Sequence, residues 1–211
     1  MADPSRAAEE PAKPAARQLS AEKREAVLAG SRAEFLRNGY AATTMDRVAA
    51  AAGVSKATVY SHFTDKETLF QCLTHQMVGE RVAQLFGPGE AAALPGDPRQ
   101  ALAELAHRCL EPCEGQTDFL AFFRLVVGES ERFPQLARTF VGQLEQYAFP
   151  QVVRLFATSG FLPEADPEVS ARVFIGSMVH LILMQDLLHG REVVNVDRGR
   201  FAEGLIKLLC R

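Results

Sequence analysis

Signatures of catalysis are missing from this 211-residue chain. There is no Gly-x-Ser-x-Gly, no phosphate-cradling glycine loop, no His-Glu-x-x-His and no paired carboxylates at a recognisable spacing, so neither an enzyme nor a cofactor is expected. Cysteine is scarce. Cys72, Cys109, Cys113 and Cys210 follow no framework pattern, which excludes a disulfide scaffold and fits a compartment where thiols stay reduced. No apolar run approaches the roughly 20 residues needed to span a bilayer. The start, Met1 to Ser20, is rich in Ala, Pro and charge rather than a basic end followed by an apolar stretch, so a cytoplasmic protein with no membrane partner is expected. Hardly any stretch alternates like a strand, and no repeat of 20 to 50 residues is visible.

What remains is a globular composition, 47% hydrophobic and 23% charged, in a chain long enough to bury a core. The formal net charge of −3 argues at first against a nucleic-acid partner, but its distribution does not. Between Lys13 and Phe63 stand eight basic residues (Lys13, Arg17, Lys23, Arg24, Arg32, Arg37, Arg47, Lys56) and four acidic ones (Glu22, Glu25, Glu34, Asp46), leaving the acidity to the rest of the chain.

Residues 1–19, with Pro4, Pro11 and Pro14 among alanines and mixed charges, read as a mobile tail. From Ser20, a plausible N-cap, Ala26, Val27, Ala33, Phe35 and Leu36 recur at helical spacing until Asn38-Gly39 stops the run. Thr43 with Asp46 and Thr64 with Glu67 have capping-box spacing, and Ser55 is placed to cap a short helix between them. The helix after Thr64 runs toward Phe86. A loop rich in Gly and Pro follows, from Gly87 to Gly96. Five further helices are expected over Pro98 to Cys113, Thr117 to Ser130, Pro134 to Ser159, Pro167 to His189 and Asp197 to Cys210. Asp97-Pro98 and Asp166-Pro167 mark two starts, and Gly160 and Gly190 two stops. The expected fold is all-α: a three-helix helix-turn-helix domain over residues 20–80 and a helical regulatory domain over 81–211.

The segment TTMDRVAAAAGVSKATVYSHF has what a helix-turn-helix over Thr44 to Phe63 requires. Ala49 stands four residues before Gly53, a small residue for the helix crossing and a glycine for the turn, while Val48, Ala52, Val54, Val59 and Phe63 fall on a shared core. With Val59 inward, Ala57 and Ser61 project outward, flanked by Thr58 and Tyr60, with Ser55 and Lys56 at the helix start. That small, polar face suits a major groove, with Lys56 in reach of guanine O6 and N7 or a phosphate, and Ala57 or Thr58 in reach of a thymine methyl. Tyr60, His62 and Lys66, with the exposed amides near Thr44, suit phosphate oxygens. The competing use of Tyr60 and His62 is as plain surface residues at a helix end, but their place beside Lys56 and Lys66 favours phosphate contact. Arg6, Lys13 and Arg17 either reach a minor groove or belong to a solvated tail.

The run Gly53 to Phe70, GVSKATVYSHFTDKETLF, resembles the signature of the TetR (TetR/AcrR) family of bacterial regulators, and the resemblance extends over roughly Ser20 to Glu80, with Ala57 where glycine is frequent. It implies an all-α homodimer, usually a repressor, on near-palindromic double-stranded operator DNA, released by a small ligand.

In the second half, Phe119, Phe122, Phe123 and Val126 share a helical face, and Met178 and Met184 with Val179 and Leu183 could complete an apolar wall, so a small lipophilic effector is the expected ligand. The same stripe would also serve as plain core. Phe119 to Phe140 is similar to a segment of TetR members linked to efflux control. Dimerisation is expected on the last two helices, through Val173, Phe174, Ser177 and Leu181 and through Phe201, Leu205 and Leu208, with core packing the competing use. Cys109 and Cys113, i and i+4 with His107 nearby, make a redox or metal role conceivable, but no second ligand cluster has metal spacing, so they are read as reduced core residues and no metal is expected. The alternative to a regulator is an α-helical binding protein or enzyme in which the helix-turn-helix is structural only.

Overall fold

The computed structural model describes residues 12–87, 96–110, 116–159 and 166–210, and among them there is no strand. The order is α1 (Ala12–Ala42), α2 (Met45–Ala52), α3 (Lys56–His62), α4 (Lys66–Phe86), α5 (Pro98–Leu110), α6 (Gln116–Glu129), α7 (Pro134–Gln143), α8 (Phe149–Ser159), α9 (Pro167–Ile182) and α10 (Arg198–Leu209). Single π-helical turns, Leu144–Ala148 and Leu183–Leu187, join α7 to α8 and extend α9, and a 3₁₀ turn, Gly190–Glu192, precedes α10. Two compact units result, Met1–Leu73 and Thr74–Arg211, with the division inside α4.

In the first unit α1 begins at Ala12, eight residues before the expected Ser20 cap, so the part of the expected tail from Ala12 to Leu19 is helical. Ala12, Ala15, Ala16, Gln18 and Leu19 are good helix formers, and Pro14 falls in the first turn, where its missing N–H costs nothing. Residues 1–11, with Arg6, lie outside the described residues. At Gly39 (φ 78, ψ 168) α1 kinks, as Asn38-Gly39 leads one to expect, and a last turn runs on to Ala42. The core of the unit is Val27, Phe35, Tyr40, Val48, Val59, Phe63, Leu69 and Phe70, with the Tyr40 ring stacked on Phe35 at 5.7 Å and meeting Phe70 edge-on at 5.3 Å.

The second unit packs α5, α8, α9 and α10 around Leu102, Leu105, Phe156, Phe174, Leu181 and Ile206. Its helix starts follow from local chemistry. Asp97 Oδ1 accepts the Arg99 amide at 3.0 Å, Asp166 Oδ1 that of Glu168 at 2.8 Å and Asp197 Oδ1 that of Arg200 at 2.6 Å. The Gly160 stop and Cys113 lie outside the described residues. One expectation is corrected: Pro167–Leu187, 21 residues with mean hydropathy 1.3, is long and apolar enough to cross a bilayer. Ala171, Phe174, Met178, Leu181 and Leu187 are buried within the chain, while Val169, Val173, Val179 and Met184 of the same segment stand exposed.

Candidate functional site

Helix α2 is capped by Thr44, whose Oγ1 accepts the Arg47 amide at 3.3 Å. The expected box of Thr43 with Asp46 does not form, because Thr43 is buried and donates its hydroxyl to the Gly39 carbonyl at 2.8 Å. The helix ends on Gly53, left-handed at φ 65, whose N–H reaches Ala50 O, while the Val54 N–H reaches Ala49 O. Helix α3 follows after a Ser55 cap: Ser55 Oγ accepts the Thr58 amide at 3.1 Å and meets Thr58 Oγ1 at 2.9 Å. Ser61 Oγ donates to Thr58 O at 2.8 Å. Val59 is fully buried, so Lys56, Ala57, Tyr60 and Ser61 stand exposed on the opposite face, with Thr58 and His62 at its margins.

The charges of this face are already engaged. Lys56 Nζ lies 2.7 Å from Asp46 Oδ1 and 5.9 Å from the centre of the Tyr60 ring, and the hydrogen bond to Asp46 pushes the lysine pKa further above its ordinary value. Arg47 pairs with Glu34 at 3.1 Å.

Lys66 is placed otherwise than expected. Its ammonium, expected at a phosphate, is half-buried and donates to the carbonyls of Tyr40 at 2.8 Å, Ala41 at 3.4 Å and Thr43 at 3.0 Å, 4.3 Å from the Tyr40 ring centre. It thereby satisfies carbonyls left open at the end of α1. The start of α4 is shifted by one residue from the expected box as well. Asp65, not Thr64, caps it, with Oδ1 accepting the Thr68 amide at 2.7 Å, and that bond holds the Asp65 carboxyl below its usual range. Lys66→Met is therefore expected to destabilise the first unit by about 1–3 kcal/mol through the orphaned carbonyls. The salt dependence of DNA binding should not change, whereas loss of about 0.9 from the log–log salt slope per protomer would return Lys66 to a phosphate.

A second site lies wholly within residues 74–211. A cavity of about 410 Å³ is bounded by Val82, Leu85 and Phe86 of α4, Leu105 and Cys109 of α5, Phe119, Phe123 and Val126 of α6, Phe140, Leu144 and Ala148 of α7 and the turn after it, and Phe174, Met178 and Ile182 of α9. The volume falls in the range of about 300–1,000 Å³ typical of small-molecule pockets. Phe140 is the hub of an aromatic cluster, with Phe119, Phe122 and Phe123 ring centres 6.1, 6.1 and 5.8 Å away.

Arg81 is the one charged residue of this lining. It is buried, its guanidinium donates to Gln84 Oε1 and the Cys109 carbonyl at 3.3 Å each, and it lies 5.9 Å from the centre of the Phe119 ring. Of the residues expected to line a pocket, Phe119, Phe123, Val126, Met178 and Val179 do so. Phe122 is buried behind them. Met184 is exposed and off the cavity, because six residues beyond Met178 is well over a full turn around the helix, whereas Ile182, four residues on, keeps to the same face.

Of the residues expected at a dimer interface, Phe174, Leu181 and Leu205 belong to the chain's own core and Phe201 packs half-buried against it. Ser177 donates to the Val173 carbonyl at 2.8 Å. Val173 and Leu208 are exposed, and Val169, one turn before Val173, joins them as an exposed apolar residue that sequence reasoning passed over. Gly30 was also passed over. A Cβ there would come within 2.7–2.9 Å of Ala52 backbone and side-chain atoms, so this glycine sets the approach of α1 to α2.

Two family models account for most of the chain. The model described as bacterial regulatory proteins of the tetR family matches residues 27–73, and that of the AefR-like transcriptional repressor C-terminal domain matches residues 100–208. The chain belongs to the TetR family. It is thus a helix-turn-helix regulator of the DNA-binding kind, in a family of transcriptional regulators rather than enzymes. Among curated proteins it is 42% identical over 52 residues to the HTH-type transcriptional regulator YhgD of Bacillus subtilis, an alignment spanning 25% of this chain and 27% of that one. Among solved structures it is similar to the flavonoid-responsive regulator FrrA, at 26% identity and TM-score 0.65 over 89% of this chain and 94% of that one. It shares its fold with a TetR-family regulator from Rhodococcus sp., at 15% identity and TM-score 0.71 over 90% of this chain and all of that one.

Proposed function

We propose that this TetR-family protein is a cytoplasmic homodimeric repressor that binds a near-palindromic operator through α3 and is released by a small, uncharged, lipophilic aromatic compound. The observation that carries the reading is helix α4, which supplies Lys66 to the helix-turn-helix and Val82, Leu85 and Phe86 to the cavity. Lys56, Ala57 and Thr58, with Ser55 and Ser61, meet base edges, while Tyr60, His62 and the amides after Thr44 meet phosphates. Two half-sites about 34–36 Å apart require matched recognition helices, so an effector that binds better to a dimer of another spacing lowers operator affinity by shifting the population. Val169, Val173 and Leu208, exposed and apolar on the last two long helices, suit a four-helix dimer interface.

The effector class follows from the wall. An anion entering this cavity would lose its hydration opposite hydrocarbon and phenyl rings, with one guanidinium that already donates to Gln84 and Cys109. A flat neutral ring system loses little and gains ring contacts against Phe119, Phe123 and Phe140. That the similar regulator FrrA is flavonoid-responsive agrees with an aromatic effector.

The test has two arms. A duplex from the region upstream of the protein's own gene should be retarded at low salt without effector and give a two-fold-related footprint, and failure to bind it overturns the operator reading. Neutral N-phenyl-1-naphthylamine should bind at least about tenfold tighter than the same scaffold bearing a sulfonate, 1-anilinonaphthalene-8-sulfonate, in keeping with the cost of burying a charge. Equal or reversed affinities would overturn the neutral class, and no binding of either would remove the cavity as an effector site.

A further inference from the structure

A DNA-reading face is expected to offer its cations to phosphates, and this one holds a carboxylate against its foremost lysine. Asp46 is the second residue of α2, and its side chain is 64% exposed. Lys56 opens α3, ten residues later, and its side chain is 60% exposed. Their 2.7 Å contact therefore bridges the two helices of the motif on its solvent side. Asp46 has no part in capping α2, since Thr44 takes the Arg47 amide. A helix-dipole contribution from Asp46 needs no lysine beside it.

We propose that Asp46 is a positioning residue that sets DNA selectivity, pairing with Lys56 so that this charge is withheld from arbitrary phosphates and held at the start of α3 for a site with closely spaced acceptors, such as O6 and N7 of guanine. The proposal rests on the operator-binding reading above. Non-specific binding draws its free energy from counterions released as cations neutralise phosphates. A lysine already neutralised by a carboxylate 2.7 Å away releases none unless the pair opens. At a matched base step the two guanine acceptors and the geometry of the docked helix replace the carboxylate, so the opening is compensated there and not elsewhere. Arg47, paired with Glu34, and Lys66, turned onto carbonyls, keep further charge from indiscriminate use.

The experiment uses the full-length protein and two fluorescent duplexes of equal length and composition, the upstream duplex and a scrambled one, titrated between about 50 and 200 mM salt, where phosphate contacts show their slope. Asp46→Asn, isosteric and exposed, should bind the scrambled duplex about 3–10-fold tighter, with a log–log salt slope steeper by about 0.9 per protomer. The upstream duplex should gain less, so the ratio of the two affinities falls. Asp46→Glu keeps the charge and should keep the wild-type slope. In a Lys56→Ala background the effect of Asp46→Asn should vanish.

Unchanged or weaker scrambled-duplex binding by Asp46→Asn overturns the proposal, and so does a gain that persists without Lys56, which would mark plain repulsion between Asp46 and phosphates. Asp46→Ser carries the same expectation should the asparagine variant unfold early. Wild-type protein that binds neither duplex would instead sink the operator reading.

Discussion

Gly30→Val is expected to abolish operator binding, by more than about a hundredfold, while leaving the affinity of the cavity for N-phenyl-1-naphthylamine within about twofold. Gly30 is buried on α1, and an added Cβ would stand 2.7 Å from the Ala52 nitrogen and 2.9 Å from its Cα and Cβ. Two of those three atoms are backbone, so no side-chain rotation relieves the clash and α2 must move. Overpacking of this kind costs about 1–3 kcal/mol, and the two γ-methyls of valine add to it. The first unit has little reserve against such a cost, since α2 and α3 are eight and seven residues long and depend on packing for their helicity. A shift of α2 carries with it the Gly53 turn and the Ser55 cap that aim α3. The cavity residues belong to the other compact unit, which is why the two measurements should part. Anisotropy with the upstream duplex and probe fluorescence on the same preparation check both, and near-normal DNA binding would show that α1 and α2 tolerate separation. Gly30→Ala should fall between.

That glycine also shows where sequence reading reaches its limit. Caps at Asp97 and Asp166 were legible because each is settled within two residues by an amide and a carboxylate. The outward set on α3 was legible because burial of Val59 fixes the phase of a single short helix. Where two adjacent residues could each do the work, local pattern was not enough. Thr44 rather than Thr43 caps α2 because Thr43 is committed to Gly39, and Asp65 rather than Thr64 caps α4.

Contacts across the chain left little local mark. Lys66 in a signature run reads as one more exposed cation until the carbonyls of Tyr40 and Thr43, 26 and 23 residues away, are found beneath it. Phe174, Leu181 and Leu205 read as dimer residues or as core alike, because an apolar face does not say whose core it enters, and all three lie in the chain's own core. Gly30 did leave a signal: a glycine inside a strong helix pattern costs about 1 kcal/mol relative to alanine and calls for a packing reason.

Removing the Asp186 carboxylate should strongly destabilise the second unit. Arg198 Nη2 reaches both of its oxygens, at 2.6 and 2.7 Å, and Arg191 Nη2 reaches Oδ1 at 2.7 Å. Arg198 also donates to the Leu110 carbonyl, so one cluster ties the last turn of α5, the π turn after α9, the 3₁₀ turn and the start of α10. The Asp186 and Arg198 side chains are 15% and 13% exposed, so the pair is little screened by solvent. In Asp186→Ala the Arg198 guanidinium keeps its cost of desolvation and loses its counter-charge, while Arg191, 46% exposed, turns to water, and breaking a buried pair from one side typically costs about 3–5 kcal/mol.

The neighbouring backbone cannot readjust cheaply. Gln185 is bonded to Val194 O at 2.7 Å and to the Val196 amide at 3.2 Å, His189 sits in the left-handed region at φ 56, and Gly190 leaves no room for a Cβ beneath the Met184 carbonyl. For a chain of this size that loss corresponds to about 6–20 °C in the unfolding midpoint. Arg198→Ala should cost less, because Asp186 keeps Arg191. The double variant Asp186→Ala with Arg198→Ala should recover part of the loss, since it no longer strands Arg198. Calorimetry on the three variants separates the pair from its parts. A midpoint within about 2 °C of wild type for Asp186→Ala would mean that water, not protein, already solvates these arginines.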